Sequence, residues 1–365
     1  MPTLQTLDIS FNPLIDIPKT IQTEKNCCKN VLKYYKDLQQ SSSAWGDTKV
    51  VFLGDNNAGK TSVMWSLVNH KKKKLFSIGN RRNSHMVCVH TEQIDMIPFS
   101  SKNHNFQLWD FAGSDCYYDI CDIYLTNRTC YAITFSMASS HHDHELQYWI
   151  NLVKDLEDCS LMIIGTHMES ISKQEYLTIQ STISSSFPSI PFFAVNNKNY
   201  KGVKQVEEHL RQVASEFSRT SIPCTYLVIK EWISNAKLNG QKFMTLAQFK
   251  ELVEGVNLDV NQCLKYLHDS GSIVWIQSIN LLLLDNCFLF EAWSTFVTSK
   301  NLMNEGCIQR KELSKVWSDY NTDTFDNLLQ TLISYHKIEM IPNADNNLES
   351  AMLSSSIKRN SHGNV

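Results

Sequence analysis

The fold is decided near residue 50, where the chain reads Lys49-Val50-Val51-Phe52-Leu53-Gly54-Asp55-Asn56-Asn57-Ala58-Gly59-Lys60-Thr61-Ser62. The apolar run before the first glycine predicts a buried strand, and a helix is expected after the serine. Between them lies the spacing G-x-x-x-x-G-K-[ST], which in a strand, loop and helix context is typical of a phosphate-binding loop. The sequence therefore predicts a P-loop within an α/β fold.

Each residue type in this stretch has a physical reason. Glycines let the backbone curl so that successive N–H groups point at phosphate oxygens, and the helix N-terminus adds the positive end of its dipole. Lys60 would place a charge on the β- and γ-phosphates, and Thr61 would offer a hydroxyl to Mg²⁺. We expect phosphate binding by the residues of the phosphate loop, Gly54, Asp55, Asn56, Asn57, Ala58, Gly59, Lys60, Thr61 and Ser62.

A second box follows fifty residues after Lys60, where an apolar strand ends in Asp110-Phe111-Ala112-Gly113. Asp110, at the carboxyl end of the strand, is expected to hold Mg²⁺ together with Thr61. Gly113 can bring its N–H against a γ-phosphate without a side-chain clash. The intervening Ala112 distinguishes this box from the DFG motif of kinases, and no kinase domain is predicted.

A third box is predicted to determine which nucleotide base is bound. A buried strand at 161–165 is followed by the base box, Thr166-His167-Met168-Glu169. Guanine presents N1–H and N2–H₂ side by side, and one carboxylate can accept both hydrogen bonds. We therefore assign base recognition to Thr166, His167 and Glu169, with a weaker additional contact from 195–198. The alternative is a helix-capping loop that does not contact a base.

The whole sequence predicts four regions: 1–46, 47–220, 221–345 and 346–365. The first holds one leucine-rich repeat at 4–18 and a helix at 30–40, and a single repeat predicts a shortened or fragmentary protein because repeats need stacked neighbours. The second alternates strands and helices as a mostly parallel sheet does. The third has helical segments around a hairpin, as in winged-helix folds. The Ser- and Asn-rich last region is expected to be disordered.

The composition argues against several classes of protein. The net charge is −3 and no Lys/Arg cluster marks a reading helix, so a nucleic-acid partner is not expected. The 11 cysteines contain no CxxC pair, and no signal peptide or long apolar stretch is seen; both favour a cytoplasmic protein without a transmembrane segment. Residues 141–144 (H-H-D-H) have metal-ligand chemistry, although Asp143 is more simply a helix cap.

With these boxes in place, the chain resembles the Roco family, in which a Ras-like Roc domain precedes a COR domain. The resemblance rests on the boxes in this order, on the T-H-x-acid form of the base box, on an upstream leucine-rich repeat, and on Tyr266-Leu267-His268-Asp269-Ser270-Gly271. It implies a signalling switch that binds GTP and GDP with Mg²⁺ and acts on protein effectors that are unknown. Only the first half of COR is expected, so dimerisation is doubtful.

The chain departs from the family at three positions. Ser114 stands where the family commonly has a glutamine, and Glu169 replaces an aspartate. Gln93 replaces a glycine of the family beside Thr91, our candidate for the threonine that senses the γ-phosphate. The catalytic set is thus Lys60, Thr61, Thr91, Gly113 and Ser114. Two functions stay open, a slow GTPase at roughly 10⁻⁴ to 10⁻² s⁻¹ and a nucleotide-binding scaffold without effective hydrolysis. A P-loop ATPase is disfavoured by the base box.

Overall fold

The computed structural model describes residues 6–10, 12, 28–40, 42–70, 94–111, 120–139, 142–256, 258–298, 307–318, 320–342 and 348–353. The chain divides into two units. The first comprises residues 1–113 and 126–225, and the second comprises 114–125 and 226–365. Residues 114–125 belong to the second unit by their contacts, and the predicted domain bounds, including 47–220 for the Ras-like domain, stay predictions.

The first unit is built around a six-stranded sheet in the order β3-β4-β2-β5-β6-β7, in which β3 is antiparallel to β4 and the other pairs are parallel. The predicted mostly parallel sheet is confirmed. The helices and strands described in the first unit are α1 (Cys28–Gln40), β1 (Ser42–Ala44), β2 (Asp47–Leu53), α2 (Lys60–Asn69), β3 (Ile94–Ser101), β4 (His104–Phe111), β5 (Thr129–Ser136), α3 (His142–Val153), β6 (Ser160–Thr166), α4 (Lys173–Ser186), β7 (Phe192–Ala194), α5 (Val203–Phe217) and β8 (Ser221–Pro223).

The central strands are buried along almost their whole length because both faces of the sheet are covered. Every residue of β2 after Asp47 is buried, and β5 is buried from Thr129 to Phe135. Helices α2 and α5 pack on one face of the sheet, where Val63, Leu67 and Leu210 join a common core. The carboxyl ends of the parallel strands therefore share one edge, which is where open α/β sheets bind their ligands.

The N-terminal region is described only in part. Helix α1 confirms the helix predicted at 30–40, and its Val31 and Tyr34 pack against Leu7 and Ile9. Most of the predicted repeat, including residues 13–18, lies outside the described residues. The leucine-rich repeat therefore stays a prediction.

The second unit contains two small antiparallel sheets, in the orders β10-β11-β9 and β12-β14-β13. The hairpin between β10 and β11, with Val274 opposite Leu283, confirms the one predicted from the sequence. The described elements are α6 (Cys224–Leu238, in this unit from Tyr226), β9 (Phe243–Thr245), α7 (Leu246–Leu252), α8 (Val260–Asp269), β10 (Val274–Ile276), β11 (Leu281–Leu283), α9 (Asn286–Val297), β12 (Cys307–Gln309), α10 (Arg310–Val316), α11 (Thr322–Ser334), β13 (Ile338–Pro342) and β14 (Leu348–Leu353).

The predicted disorder of 346–365 is wrong for the start of that segment. Residues 348–353 form β14, which pairs with both β12 and β13, and Ala351 is fully buried. A strand paired on both sides is ordered by its neighbours, which local composition does not reveal. Residues 354–365 lie outside the described part of the chain.

The short segment at 120–125 is integrated into the second unit. The Tyr124 ring stacks on Phe290 with centroids 4.9 Å apart, and its hydroxyl donates to the Asn286 carbonyl at 2.7 Å. Lys337 pairs with Asp122 at 2.7 Å. Burial raises the pKa of Tyr124 well above its ordinary value. Across the described segments, the structure contains no helix that is both long and apolar enough to cross a membrane.

Candidate functional site

The phosphate loop leaves β2 at Leu53 and enters α2 at Lys60, as the sequence predicts. Gly54 has φ +146°, and a Cβ there would lie 1.9 Å from the backbone oxygen of Thr134. Gly59 has φ +88° and packs against the Thr166 side chain, where a Cβ would lie 3.0 Å from the hydroxyl oxygen. Both positions therefore require glycine, because a side chain would be strained and would clash.

Lys60 lies inside this loop with only 6% of its surface exposed. Its ammonium donates to the carbonyl of Gly54 at 2.7 Å and to the carbonyl of Asp55 at 3.0 Å. Both contacts hold the ammonium in place through carbonyl dipoles. The loop thus keeps a cation at its centre.

Thr61 and Asp110 come together from the first turn of α2 and the end of β4. The Thr61 hydroxyl donates to Oδ2 of Asp110 at 2.5 Å, and Asp110 is fully buried. A hydroxyl beside a carboxylate is a pair of hard oxygen donors, which is the kind of ligand that Mg²⁺ prefers. The two residues predicted to hold the metal are therefore adjacent, and their chemistry fits it.

Thr166 links the base box to the phosphate loop. Its side chain is fully buried, and its hydroxyl donates to the Ala58 carbonyl at 2.6 Å and lies 3.1 Å from the Phe135 carbonyl. It is also 2.9 Å from Nδ1 of His167, which adopts a left-handed backbone with φ +54°. In this structure Thr166 therefore ties β6 to the loop, and the left-handed turn at His167 redirects the chain toward Glu169.

Glu169 pairs with a lysine from the neighbouring loop. Its Oε1 lies 3.1 Å from Nζ of Lys198, which belongs to the 195–198 stretch predicted as a weaker base contact. Burial opposes ionisation of Glu169, but hydrogen bonds from its own backbone and from Lys198 outweigh burial and lower its pKa. The Asn196 side chain accepts from the backbone of Lys198 at 2.9 Å and shapes this turn. Glu169 is therefore a carboxylate that stays ionised at neutral pH.

One contact at the loop was missed by sequence reasoning. Trp149, on α3, donates from its indole nitrogen to Oδ1 of Asp55 at 2.8 Å. The two residues are 94 positions apart, so no local pattern could have paired them. A cleft of about 360 Å³ adjoins the loop and is lined by Asn56, Asn57, Ala58, Ser136, Ala138, Ser139, Glu145 and His167.

Three residues of the predicted catalytic set, Thr91, Gly113 and Ser114, lie outside the described residues. Their assignment stays a prediction. The remaining two members, Lys60 and Thr61, are adjacent at the start of α2 and face the loop carbonyls and Asp110 respectively. The structure therefore brings together the phosphate and metal residues that it describes.

Comparison with known proteins identifies the two halves of the chain. Residues 49–169 match the family described as "Ras of Complex, Roc, domain of DAPkinase", and residues 223–353 match "C-terminal of Roc, COR-A domain". The chain therefore contains a Roc domain followed by a COR-A domain. The Roc match contains the phosphate loop, Asp110 and the base box, and the COR-A match ends with β14.

Among curated relatives, "Cyclic GMP-binding protein C" of Dictyostelium discoideum is 23% identical over 345 residues, which cover 84% of this chain and 13% of that protein. The "Roc-COR-CHAT protease" of Runella zeae is 20% identical in an alignment that is 374 residues long and covers 92% of this chain and 39% of that protein. The Roc–COR chain therefore spans only a minor part of the curated relatives that it matches.

A solved structure has the same fold. It is described as "Structure of methanosarcina barkeri Roco2 RocCORdC bound to GDP", with a TM-score of 0.65 and 18% identity, and the match covers 86% of this chain and 96% of that one. At this identity the similarity establishes the Roc–COR fold. The GDP is a property of that protein.

Proposed function

We propose that this Roc–COR chain binds GTP and GDP with Mg²⁺ at the phosphate loop and hydrolyses GTP slowly, as a switch in intracellular signalling. The proposal rests on two neighbouring sets of contacts. The buried Lys60 is held by loop carbonyls at 2.7 and 3.0 Å, and the Thr61 hydroxyl contacts Asp110 at 2.5 Å. This combination supplies the charge, the hydroxyl and the carboxylate that nucleotide phosphates and their metal require.

The residues have distinct roles in this proposal. Backbone N–H groups of 54–62 cradle the phosphates, and Lys60 neutralises the β- and γ-phosphate oxygens. Thr61 and Asp110 would hold Mg²⁺, which would offset the negative charge that develops on the phosphates. Gly113 would donate its N–H to the γ-phosphate, and Thr91 would sense its presence.

Guanine selectivity is assigned to Glu169. Its lowered pKa keeps the carboxylate ionised, so both oxygens can accept from N1–H and N2–H₂ of guanine. Adenine presents an acceptor at N1, which would face this carboxylate unfavourably. The GDP in the Methanosarcina barkeri relative supports the same choice of base.

Titration of the purified chain with fluorescent GTP, GDP and ATP analogues, with and without Mg²⁺, tests the proposal. We expect GTP and GDP to bind more tightly than ATP, and removal of Mg²⁺ to weaken GTP binding. Tighter binding of ATP than of GTP would contradict the guanine assignment.

A second candidate, a nucleotide-binding scaffold without effective hydrolysis, is favoured by Ser114. In Ras-like enzymes a glutamine orients the attacking water, and a serine side chain is too short to do so in the same way. Single-turnover hydrolysis separates the candidates, since no phosphate release over hours leaves only the scaffold.

Replacing Ser114→Gln tests the cause of slow hydrolysis. If water positioning is the deficit, this variant should raise the intrinsic hydrolysis rate about tenfold or more, because orienting groups of this kind contribute at least that much. Nucleotide affinity should be unchanged, and it serves as the internal control. An unchanged rate would place the limitation elsewhere.

A further inference from the structure

The phosphate loop contains an acidic side chain, whose charge has the same sign as that of the phosphates. Asp55 follows Gly54 directly and is the only Asp or Glu between residues 54 and 62. Like charges repel, so an unrestrained carboxylate here would oppose phosphate binding.

The structure holds this carboxylate to one side. The indole N–H of Trp149 donates to Oδ1 of Asp55 at 2.8 Å, and Trp149 is 2% exposed, so its own position is fixed by packing in α3. A buried indole donor that loses its acceptor costs free energy, which makes this contact one that the fold maintains. Both groups therefore gain from being paired.

The backbone of Asp55 is also part of the loop's internal bonding. Its carbonyl accepts from Nζ of Lys60 at 3.0 Å and from the backbone N–H of Ala58 at 3.2 Å. These two bonds hold the backbone of Asp55 within the loop, so Trp149 fixes only the direction of the Asp55 side chain.

We propose that Trp149 is a positioning residue for nucleotide binding, which acts by holding the Asp55 carboxylate away from the phosphates. This inference rests on the proposed binding of guanine nucleotides at the phosphate loop. It predicts that replacing Trp149 weakens GDP binding only while residue 55 carries a charge. If the indole had a purely structural role, replacing it would weaken binding whatever the charge at residue 55.

The test measures the dissociation constant and dissociation rate of fluorescent GDP for the full 365-residue chain and four variants. Trp149→Phe removes the indole donor, Asp55→Asn removes the charge but keeps an acceptor oxygen, and the third variant combines the two. Trp232→Phe, at a partly exposed tryptophan of the second unit, is the matched control. Unfolding midpoints of all variants confirm that they are folded.

We expect W149F to weaken GDP binding about tenfold, mainly through faster dissociation, because a buried polar pair is broken. D55N should bind GDP more tightly than the wild type, because the repelling charge is removed while an acceptor for the indole is kept, and the double variant should lie within about twofold of D55N. W232F should match the wild type. Unchanged binding by W149F, or an equal loss from W149F in both backgrounds at position 55, would overturn the inference.

A second variant keeps the inference testable should W149F fail to fold. Asp55→Glu leaves Trp149 in place but moves the carboxylate by one methylene, so it should weaken GDP binding by about the same factor while D55N does not. Equal affinities for D55E, D55N and the wild type would overturn the inference. Absence of GDP binding by the wild-type chain would instead defeat the proposed function.

Discussion

The phosphate loop and the base box differ in how deeply their side chains are buried and in how they are held by the rest of the protein. Lys60 and Asp110 are buried and already hold the contacts that define the loop. At the base box, the side chain of Glu169 is 23% exposed and that of its partner Lys198 is 71% exposed. The phosphate loop is therefore held by buried contacts, whereas the base box depends on an ion pair at the surface.

This difference assigns separate tasks to the two regions. Preorganised groups bind without a further ordering cost, so we expect most of the affinity to come from the phosphate loop. An exposed ion pair contributes about 0–1 kcal/mol and adjusts easily, so the base box should govern selectivity more than affinity.

The largest effect is expected at Lys60. Lys60→Ala removes the charge at the centre of the loop, and the loss should weaken GDP binding about 100-fold or more, since bonds to charged groups are the strong ones. Isothermal titration calorimetry measures it directly. Lys204→Ala, at a lysine whose side chain is 80% exposed, is the control and should bind as the wild type does. Wild-type affinity in K60A would mean that the loop is not the site.

The preformed backbone is tested at Gly54. Gly54→Ala forces a left-handed residue into contact with the Thr134 carbonyl, and the free energy of unfolding should fall by about 3 kcal/mol or more. Gly240→Ala is a matched control, because Gly240 has φ +85° but open space around it, and it should cost only about 1–2 kcal/mol. Denaturant unfolding measures both. Equal losses would show that the loop is not sterically fixed.

Local sequence pattern predicted those parts of the fold and site that depend on neighbours along the chain. The apolar strand, the glycines and Lys60 are contiguous, so the phosphate loop could be located before the structure. Strand β3 was missed because Pro98 lies within it, which the sequence alone reads as a break. The structure accommodates this proline at the edge of the sheet, where a missing N–H is tolerated.

The missed features depend on distant partners. Helix α9 was missed because it is apolar on nearly every side, with Phe288, Leu289 and Phe290 all buried, so no amphipathic period marks it. The Trp149–Asp55 contact joins residues on separate elements. Strand β14 is ordered by its two partner strands. Such information is carried by tertiary packing and not by local composition.

A selectivity change is expected at Glu169. Glu169→Gln replaces one acceptor oxygen with a donor, so GDP binding should weaken about tenfold, while xanthosine diphosphate, which has an oxygen at C2, should gain affinity. Competition titration of the two nucleotides measures the change. Glu231→Gln, at an exposed position on α6, is the control. An unchanged preference in E169Q would favour the capping-loop alternative.

The smallest effect is expected at Lys198. Lys198→Ala should weaken GDP binding only about twofold at low salt, with no difference in high salt, because exposed ion pairs are screened. The lowered pKa of Glu169 means that the pair contributes to stability at neutral pH and loses that contribution as the pH falls below the ordinary value of 4.5. Unfolding midpoints across pH test the second point. A large loss of affinity in high salt would reverse the comparison.

The central claim is that one loop holds phosphates while Thr61 and Asp110 hold the metal. A crystal of the full chain grown with GDP and Mn²⁺ in place of Mg²⁺ tests it most directly, because manganese gives an anomalous scattering peak. We predict that peak beside the Thr61 hydroxyl and within one water of Asp110, with the β-phosphate against the N–H groups of 54–61. An empty loop, or a manganese peak away from Thr61, would contradict the account.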